Sequence, residues 1–214
     1  MGPINRRERE KEALRIKILD AARYLFARDG YDAVTMRAIA ERIEYSPRTI
    51  YLHFQDKEDL VRELCRHDFQ AFGADMAKTA KVKDPVERIK AIGVAYARFG
   101  EENPNHYRLM FMSGTPDYEG MGEEDWKGNP EVDAYAYLLG TVKEAVASGR
   151  LRKPYKDGEL LAQTLWAGVH GVISLNIAKC TDPWVQWRPL TKRVKTMVDV
   201  LVDGLVDPAS AKGR

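Results

Sequence analysis

Along most of the chain apolar residues recur at intervals of three and four, the spacing of one face of an α-helix. Leu14, Ile18, Ala22, Leu25 and Phe26 form one stripe. They predict a helix over about 6–29, with Gly30 placed where a left-handed C-terminal cap would need it. Cys65, Phe69, Phe72 and Met76 stripe a helix beginning near 57. Val86, Ile89, Ile92, Gly93, Tyr96 and Phe99 mark another, and Tyr135, Leu138, Leu139, Val142 and Val146 one more. Residues 158–179 and 191–206 are apolar on nearly all sides, as a helix is when it lies deep in a core or at a partner interface. No run alternates with period two, so the expected fold is all-α, without strands.

Four pairs, Asp84-Pro85, Asn103-Pro104, Asn129-Pro130 and Asp182-Pro183, each put a capping side chain before a residue that suits the first helical position. Asp207-Pro208 stops the last helix, and the tail 208–214 reads as frayed. The irregular stretch 113–128, SGTPDYEGMGEEDWKG, reads as a solvated acidic loop, with a pocket lid as the alternative.

The segment 35–54, TMRAIAERIEYSPRTIYLHF, holds two short helical patterns around a break. Thr35 caps the first, between the staple residues Val34 and Ile39, and Met36, Ile39, Ala40 and Ile43 form its buried stripe. Ser46 caps the second, Pro47 opens it, and Tyr45 and Ile50 form its staple. Ile50 and Phe54 then point inward. Only Glu44, Tyr45 and Ser46 separate the helices, so the chain turns sharply in a helix-turn-helix arrangement. Neither helix reaches the ~12–15 residues that are marginal alone in water, so both need the flanking helices as a base.

The 100° step places Arg48 and Leu52 at the centre of the outer face, Thr49 and Tyr51 beside them, and His53 nearer the core edge. Such a face suits a major groove. Arg48 can donate twice to guanine, and Leu52 or the Thr49 methyl can meet a thymine methyl. Tyr51 and His53 are placed for phosphates, as are Thr35 and Arg37 at the start of the preceding helix. A helix-loop-helix that merely packs in an all-helical protein has the same spacing.

The 214 residues are 44% hydrophobic and 31% charged, a globular composition. No uninterrupted apolar run approaches the ~20 residues of a membrane span, and the start, RREREKEALR, lacks the apolar core of a signal peptide. The expected location is the cytosol. Cys65 and Cys180 have no metal-ligand spacing and read as buried free thiols. Residues 1–54 carry 11 Lys+Arg against 8 Asp+Glu and the remainder 23 against 24, a slight basic bias toward the start that suits a polyanion. Arg6, Arg7 and Arg9 read as a solvated helix end, with an arm into a minor groove as the alternative.

An enzyme is not expected. None of His53, His67, His106 and His170 stands four residues from another or beside a cysteine. There is no phosphate-cradling glycine loop and no nucleophile elbow. No cofactor or metal site is expected.

Thr35 to Leu60 resembles the DNA-binding domain of TetR-family transcriptional regulators. The matching residues are Ile39-Ala40, then Thr49-Ile50-Tyr51-Leu52-His53-Phe54, then Lys57-Glu58-Asp59-Leu60. Upstream, Ile18-Leu19-Asp20-Ala21-Ala22, Leu25-Phe26 and Gly30-Tyr31 fit the first helix and its end. About 50 residues are covered. The DNA-binding set is therefore Thr35, Arg37, Ser46, Pro47, Arg48, Thr49, Tyr51, Leu52, His53 and Lys57. One departure stands out: the family's turn is usually Ala-Gly-Val, and here it is Ile43-Glu44-Tyr45. Glu44 either occupies a left-handed position that glycine prefers or changes the turn.

Trp166-Ala167-Gly168-Val169-His170-Gly171 is similar to the Trp…His-Gly signature of one carboxy-terminal domain type in that family, and Asn103 to Phe111 resembles the same group. The resemblance implies domains at 1–56 (DNA binding) and 57–207 (effector binding and dimerisation), and repression relieved by a small molecule. It also implies a homodimer through helices 158–179 and 191–206, which would read a palindromic duplex as two half-sites. Ala162, Ala167, Gly168, Gly171 and Ser174 would allow close approach, and Val194, Met197, Val198, Leu201 and Leu205 supply a stripe. An effector pocket would be lined by Tyr96, Phe99, Tyr107, Met110, Phe111, Tyr135, Trp166 and His170, suited to an apolar or aromatic molecule. The helix from 57 would act as the lever. Residues of these types at helical spacing also make ordinary core. Two other readings remain: a helical ligand-binding protein with a vestigial motif, and a regulator or activator that needs no small molecule.

Overall fold

The computed structural model describes residues 3–112 and 128–210, with side chains from Arg6 onward. Its helices are α1 (Pro3–Asp29), α2 (Met36–Arg42), α3 (Pro47–Tyr51), α4 (Lys57–Ala77), α5 (Pro85–Glu102), α6 (Pro104–Phe111), α7 (Ala134–Ala147), α8 (Gly158–Lys179) and α9 (Leu190–Leu205). A 3₁₀ turn at Lys78–Lys81 follows α4. Among the described residues the only β-type pairing is one isolated bridge, Leu151 with Val206. The all-α expectation holds.

The chain forms two compact units. The first contains the described residues up to Asp68 together with 105–112. The second contains 69–104 and the described residues from 128 on. Chain continuity gives α4 a share in each. This is a division by compactness; the functional division at 56/57 is a separate proposal.

In the first unit α1, α2, α3 and the start of α4 close over Ile18, Ala22, Phe26, Val34, Ile39, Ile50, Phe54, Leu60 and Leu64, all buried. Gly30 has φ +83° and its N–H donates to the Phe26 carbonyl at 3.0 Å, so the left-handed cap forms where the pattern placed it. A buried charge cluster was not anticipated. Asp68 of α4 is 2% exposed. Arg23 of α1 holds its two oxygens at 2.8 and 3.2 Å, and His106 Nδ1 of α6 lies 3.1 Å from Oδ1. Arg6, expected at a solvated end or in an arm, lies in α1 and pairs with Glu10 one turn on at 2.8 Å. The described part of that segment is helical and not an extended arm.

The second unit packs α5, α7, α8 and α9 together. Gly168 sits where α8 meets α9: a Cβ there would lie 2.5 Å from Leu201 Cδ1 and 3.0 Å from Met197 Sδ. The expectation that α9 is apolar all round is corrected. It buries one face, Leu190, Val194, Val198 and Val202, and turns Lys192, Lys195 and Thr196 outward, all three exposed. α8 buries Leu161, Ala162, Leu165, Val169 and Ile173 and leaves Leu160 60% and Leu175 51% exposed. By length and composition α8 is apolar enough to cross a membrane, although Gln163, Thr164, His170 and Ser174 interrupt its apolar run.

Two of the four Asx-Pro pairs precede helices. Asp84 accepts from the Val86 and Glu87 N–H groups at the start of α5. Pro104 opens α6, but the Asn103 amide donates backward to Phe99. Asn129 and Asp182 open turns instead: Asn129 Oδ1 accepts from the Glu131 N–H at 3.0 Å, and its carbonyl from the Val132 and Asp133 N–H groups. Asp133 then caps α7, accepting from Tyr135 and Ala136. Cys65 is buried as expected, whereas Cys180, just past α8, is exposed. The acidic stretch 113–127 and residues 211–214 lie outside the described residues, so neither the loop nor the lid reading is addressed there.

Candidate nucleic-acid interface and ligand cavity

Local chemistry builds the helix pair as the spacing predicted. Thr35 Oγ1 accepts from the Ala38 N–H at 3.1 Å, and Ser46 Oγ from the Thr49 N–H at 3.3 Å. Pro47 opens α3, and Ile50 and Phe54 are buried beneath it. α2 ends in a paired cap: the Tyr45 N–H donates to the Ala40 carbonyl at 3.0 Å and the Glu44 N–H to the Glu41 carbonyl at 3.2 Å. That Schellman geometry requires a left-handed residue just past the C-cap, and Glu44 supplies it with φ 62°. The turn therefore keeps the shape glycine would give and bears the strain of a Cβ, about 1–2 kcal/mol. The Tyr45–Ile50 staple is loose, because Tyr45 is exposed and its ring lies beside Lys17.

The outer face of α3 is open. Arg48 is exposed and has no partner among the described residues, Tyr51 is 54% exposed and Leu52 71%. Thr49 is half-buried, with its hydroxyl 2.9 Å from that of Ser46. Thr35 is exposed, and so is Arg37, which pairs with Glu41 at 2.9 Å. Two members of the predicted set sit differently. His53 is half-buried and its Nδ1 is buried without a partner among the described residues. Burial, with Lys11 and Arg15 nearby, pushes its pKa below the ordinary value. Lys57 Nζ donates to the Tyr31 and Val34 carbonyls at 3.0 and 3.2 Å and lies 4.0 Å from the Tyr31 ring centroid. Most of its hydrogen-bonding capacity is spent on the α1–α2 loop.

The eight predicted effector contacts divide between the units. Tyr107 and Met110, both buried, and Phe111 belong to the first, where the Tyr107 and Phe111 ring centroids are 4.9 Å apart. Tyr96, Phe99, Tyr135, Trp166 and His170 belong to the second. There Trp166 Nε1 donates to the Tyr96 hydroxyl at 3.1 Å, and His170 Nδ1 lies 3.4 Å from the same oxygen. Burial lowers the His170 pKa. Phe72 packs edge-on against Tyr96 at 5.2 Å and against Phe99 at 4.9 Å. Tyr135 donates to Glu159 at 2.7 Å.

Tyr96 and Trp166 border an apolar cavity of about 40 Å³ with Ile89, Leu138, Leu165, Val169 and Met197. Ligand pockets usually have ~300–1,000 Å³, so this one admits a ligand only by opening. A groove missed in the sequence lies in the same unit. It measures about 880 Å³, with Ala91, Val94 and Val194 on its apolar floor and Lys81, Arg98 and Lys195 among its charges. Its residues come from three stretches distant in sequence, so no local spacing could reveal it. Among the described residues no group of His, Cys, Asp and Glu could hold a metal ion.

Comparisons with known proteins agree with this architecture. The family profile described as "Bacterial regulatory proteins, tetR family" matches residues 18–64. A second, "Tetracyclin repressor-like, C-terminal domain", matches 89–201, more than half of the chain. The HTH-type transcriptional regulator UidR of Escherichia coli K12 is 32% identical over 80 residues, 37% of this chain and 38% of that protein. The HTH-type transcriptional repressor KstR of Mycolicibacterium smegmatis is 30% identical over 130 residues, 60% of this chain and 61% of that one. The match thus spans less than two thirds of either relative. Among solved structures, the fatty acid degradation regulator FadR of Bacillus halodurans superposes with TM-score 0.72 at 20% identity, over 88% of this chain and 94% of that one. FadR of Bacillus subtilis, solved in complex with stearoyl-CoA, gives 0.72 at 19% identity, over 89% and 98%. At these identities the superpositions show a shared fold.

Proposed function

The chain belongs to the tetR family of bacterial regulatory proteins, a family of transcriptional regulators and not of enzymes, and from that premise we propose that it is a dimeric repressor released from a palindromic operator by a small apolar molecule. The observation that carries the DNA-reading part is the open face of α3, where Arg48, Tyr51 and Leu52 project from a helix fixed by Ile50 and Phe54. Arg48 reads guanine, Leu52 and the Thr49 methyl read thymine, and Tyr51, Thr35, Arg37 and the cap at Ser46 and Pro47 hold phosphates. His53 and Lys57 contribute chiefly by fixing the ends of α3 and α4. The protein acts in the cytoplasm, where its duplex is.

A second copy fits against α8. Leu160, Thr164, Ala167, Gly171 and Leu175 follow one another at three- and four-residue steps; all but the half-open Gly171 are exposed, and among the described residues nothing outside α8 lies within 4 Å of a Cβ built at Gly171. Of the residues first assigned to this seam, Ala162, Val194 and Val198 are buried within the chain and Gly168 meets α9, so the seam is narrower than the sequence suggested.

Repression follows the reading of KstR, named a repressor, and release requires a ligand that prefers the conformation with less affinity for DNA. The aromatic set around Tyr96 and Trp166 suits such a ligand once the cavity opens. The complex of B. subtilis FadR makes acyl thioesters the first class to screen.

Selection of bound duplexes from random DNA tests the proposal. A palindromic consensus is expected, and sequence-indifferent binding overturns it. Compounds that raise the melting temperature and release the selected duplex would identify the effector.

A further inference from the structure

Two cations on α1 hold the ends of both helices of the reading motif. Arg15 Nη1 donates to the His53 carbonyl, just past α3, at 2.9 Å. Its guanidinium carbon lies 4.4 Å from the Phe54 ring centroid, and Nη2 lies 3.2 Å from Glu63 Oε1 on α4. Two residues on, Lys17 Nζ donates to the carbonyl of Ile43, the C-cap of α2, at 3.3 Å and sits 5.3 Å from the Tyr45 ring centroid. Each cation thus meets a helix where unpaired carbonyls gather partial negative charge.

The need for such holding is local. α3 has five residues, too few to keep its own shape, and its orientation passes through a turn whose left-handed residue is Glu44. A strained turn persists only where its surroundings over-determine it. Arg15 suits this task because one planar fork bonds a carbonyl, covers a ring and pairs with a carboxylate at once, which a lysine cannot do.

We propose that Arg15 and Lys17 are positioning residues for base reading: they fix α3 against α2 from behind and do not touch DNA. This rests on the DNA-reading role of α3, and it adds residues outside the outer face of the motif.

The test compares full-length wild type with Arg15→Met, Arg15→Lys and Lys17→Met. Affinity is measured for the duplex selected by the wild type and for a scrambled duplex of equal composition, over a salt series, after thermal melts show each variant folded at the assay temperature. The expected result for Arg15→Met is a specific-to-nonspecific ratio reduced about tenfold, as for one mismatched base pair. Arg15→Lys and Lys17→Met should lose less. The salt slope on scrambled DNA should stay at the wild-type value. An unchanged ratio in the folded variants overturns the proposal, since a merely structural role moves only the melt. A slope shallower by about 0.9 also overturns it, by making the cation a phosphate contact. Should Arg15→Met fail to fold, the two milder variants decide by the same ratio. Indifference of the wild type itself to DNA sequence would remove the reading role of α3, and this proposal with it.

Discussion

Arg48 shows what one residue can carry. It is exposed and without a partner among the described residues, so truncation should leave the fold unchanged and act only on DNA. Arg48→Ala is expected to weaken binding to the selected duplex by about 1–3 kcal/mol and to relax preference at one base position, measured by anisotropy against single-base variants. Glu44 makes the opposite case. Replacing it with glycine at φ 62° should stabilise the protein by about 1 kcal/mol in denaturant unfolding, less whatever the freer unfolded chain regains. His53 and His170 link stability to pH. Burial leads the lowering of both below the ordinary value of 6.5, so the unfolded chain takes up protons there while the folded one resists. The stability they contribute is complete above about pH 6.5 and is lost as pH falls through their lower folded values. Melting temperatures at pH 7.5 and 5.5 should therefore converge in His53→Gln relative to wild type.

At the scale of elements, the capped pair α2–α3 was legible because caps, proline and staple are local devices that act within four or five residues. Other boundaries were not. Asn129-Pro130 carries the same signal as Asp84-Pro85, yet the first opens a turn and the second a helix. Both side chains accept from the N–H two residues on, so the local signal does not separate the two outcomes. Asp68 was invisible for a related reason: its partners Arg23 and His106 are remote in sequence, and a carboxylate on a helix normally reads as surface. Among the described residues, removing it leaves the largely buried Arg23 with the exposed Asp20 as its remaining ion-pair partner. Asp68→Ala should therefore destabilise by about 3 kcal/mol in urea unfolding, the low end for breaking a buried pair. Gly168 holds α8 and α9 together by absence of a side chain. Gly168→Leu overpacks that contact and should cost about 1–3 kcal/mol.

On the scale of the whole molecule, the second unit buries one face of α9 and one of α8 and leaves part of α8 apolar and open. Leu175→Glu places a charge on that open stripe without disturbing the buried Ile173 nearby. It is expected to shift sedimentation from dimer to monomer and to weaken the palindromic duplex more than a single half-site. An unchanged sedimentation profile would mean that this face is not the seam. Of the eight residues of the predicted effector set, three lie in the other compact unit, and Tyr96 and Trp166 border the cavity. Helical spacing identifies which residues turn inward, but not whether inward means packed core or hollow space.

The helices, the caps of α2 and α3 and the family were all readable from residue order alone, because these rest on spacing and on hydrogen bonds within a turn or two. Residue order also raised the question of Glu44. Its answer, a left-handed backbone, came from the folded chain. So did the inward turn of His53 and Lys57 toward their neighbours, and the grip of Arg15 and Lys17 on carbonyls far along the chain. Burial and remote partners set those outcomes. They depend on distances between elements, which no local pattern encodes.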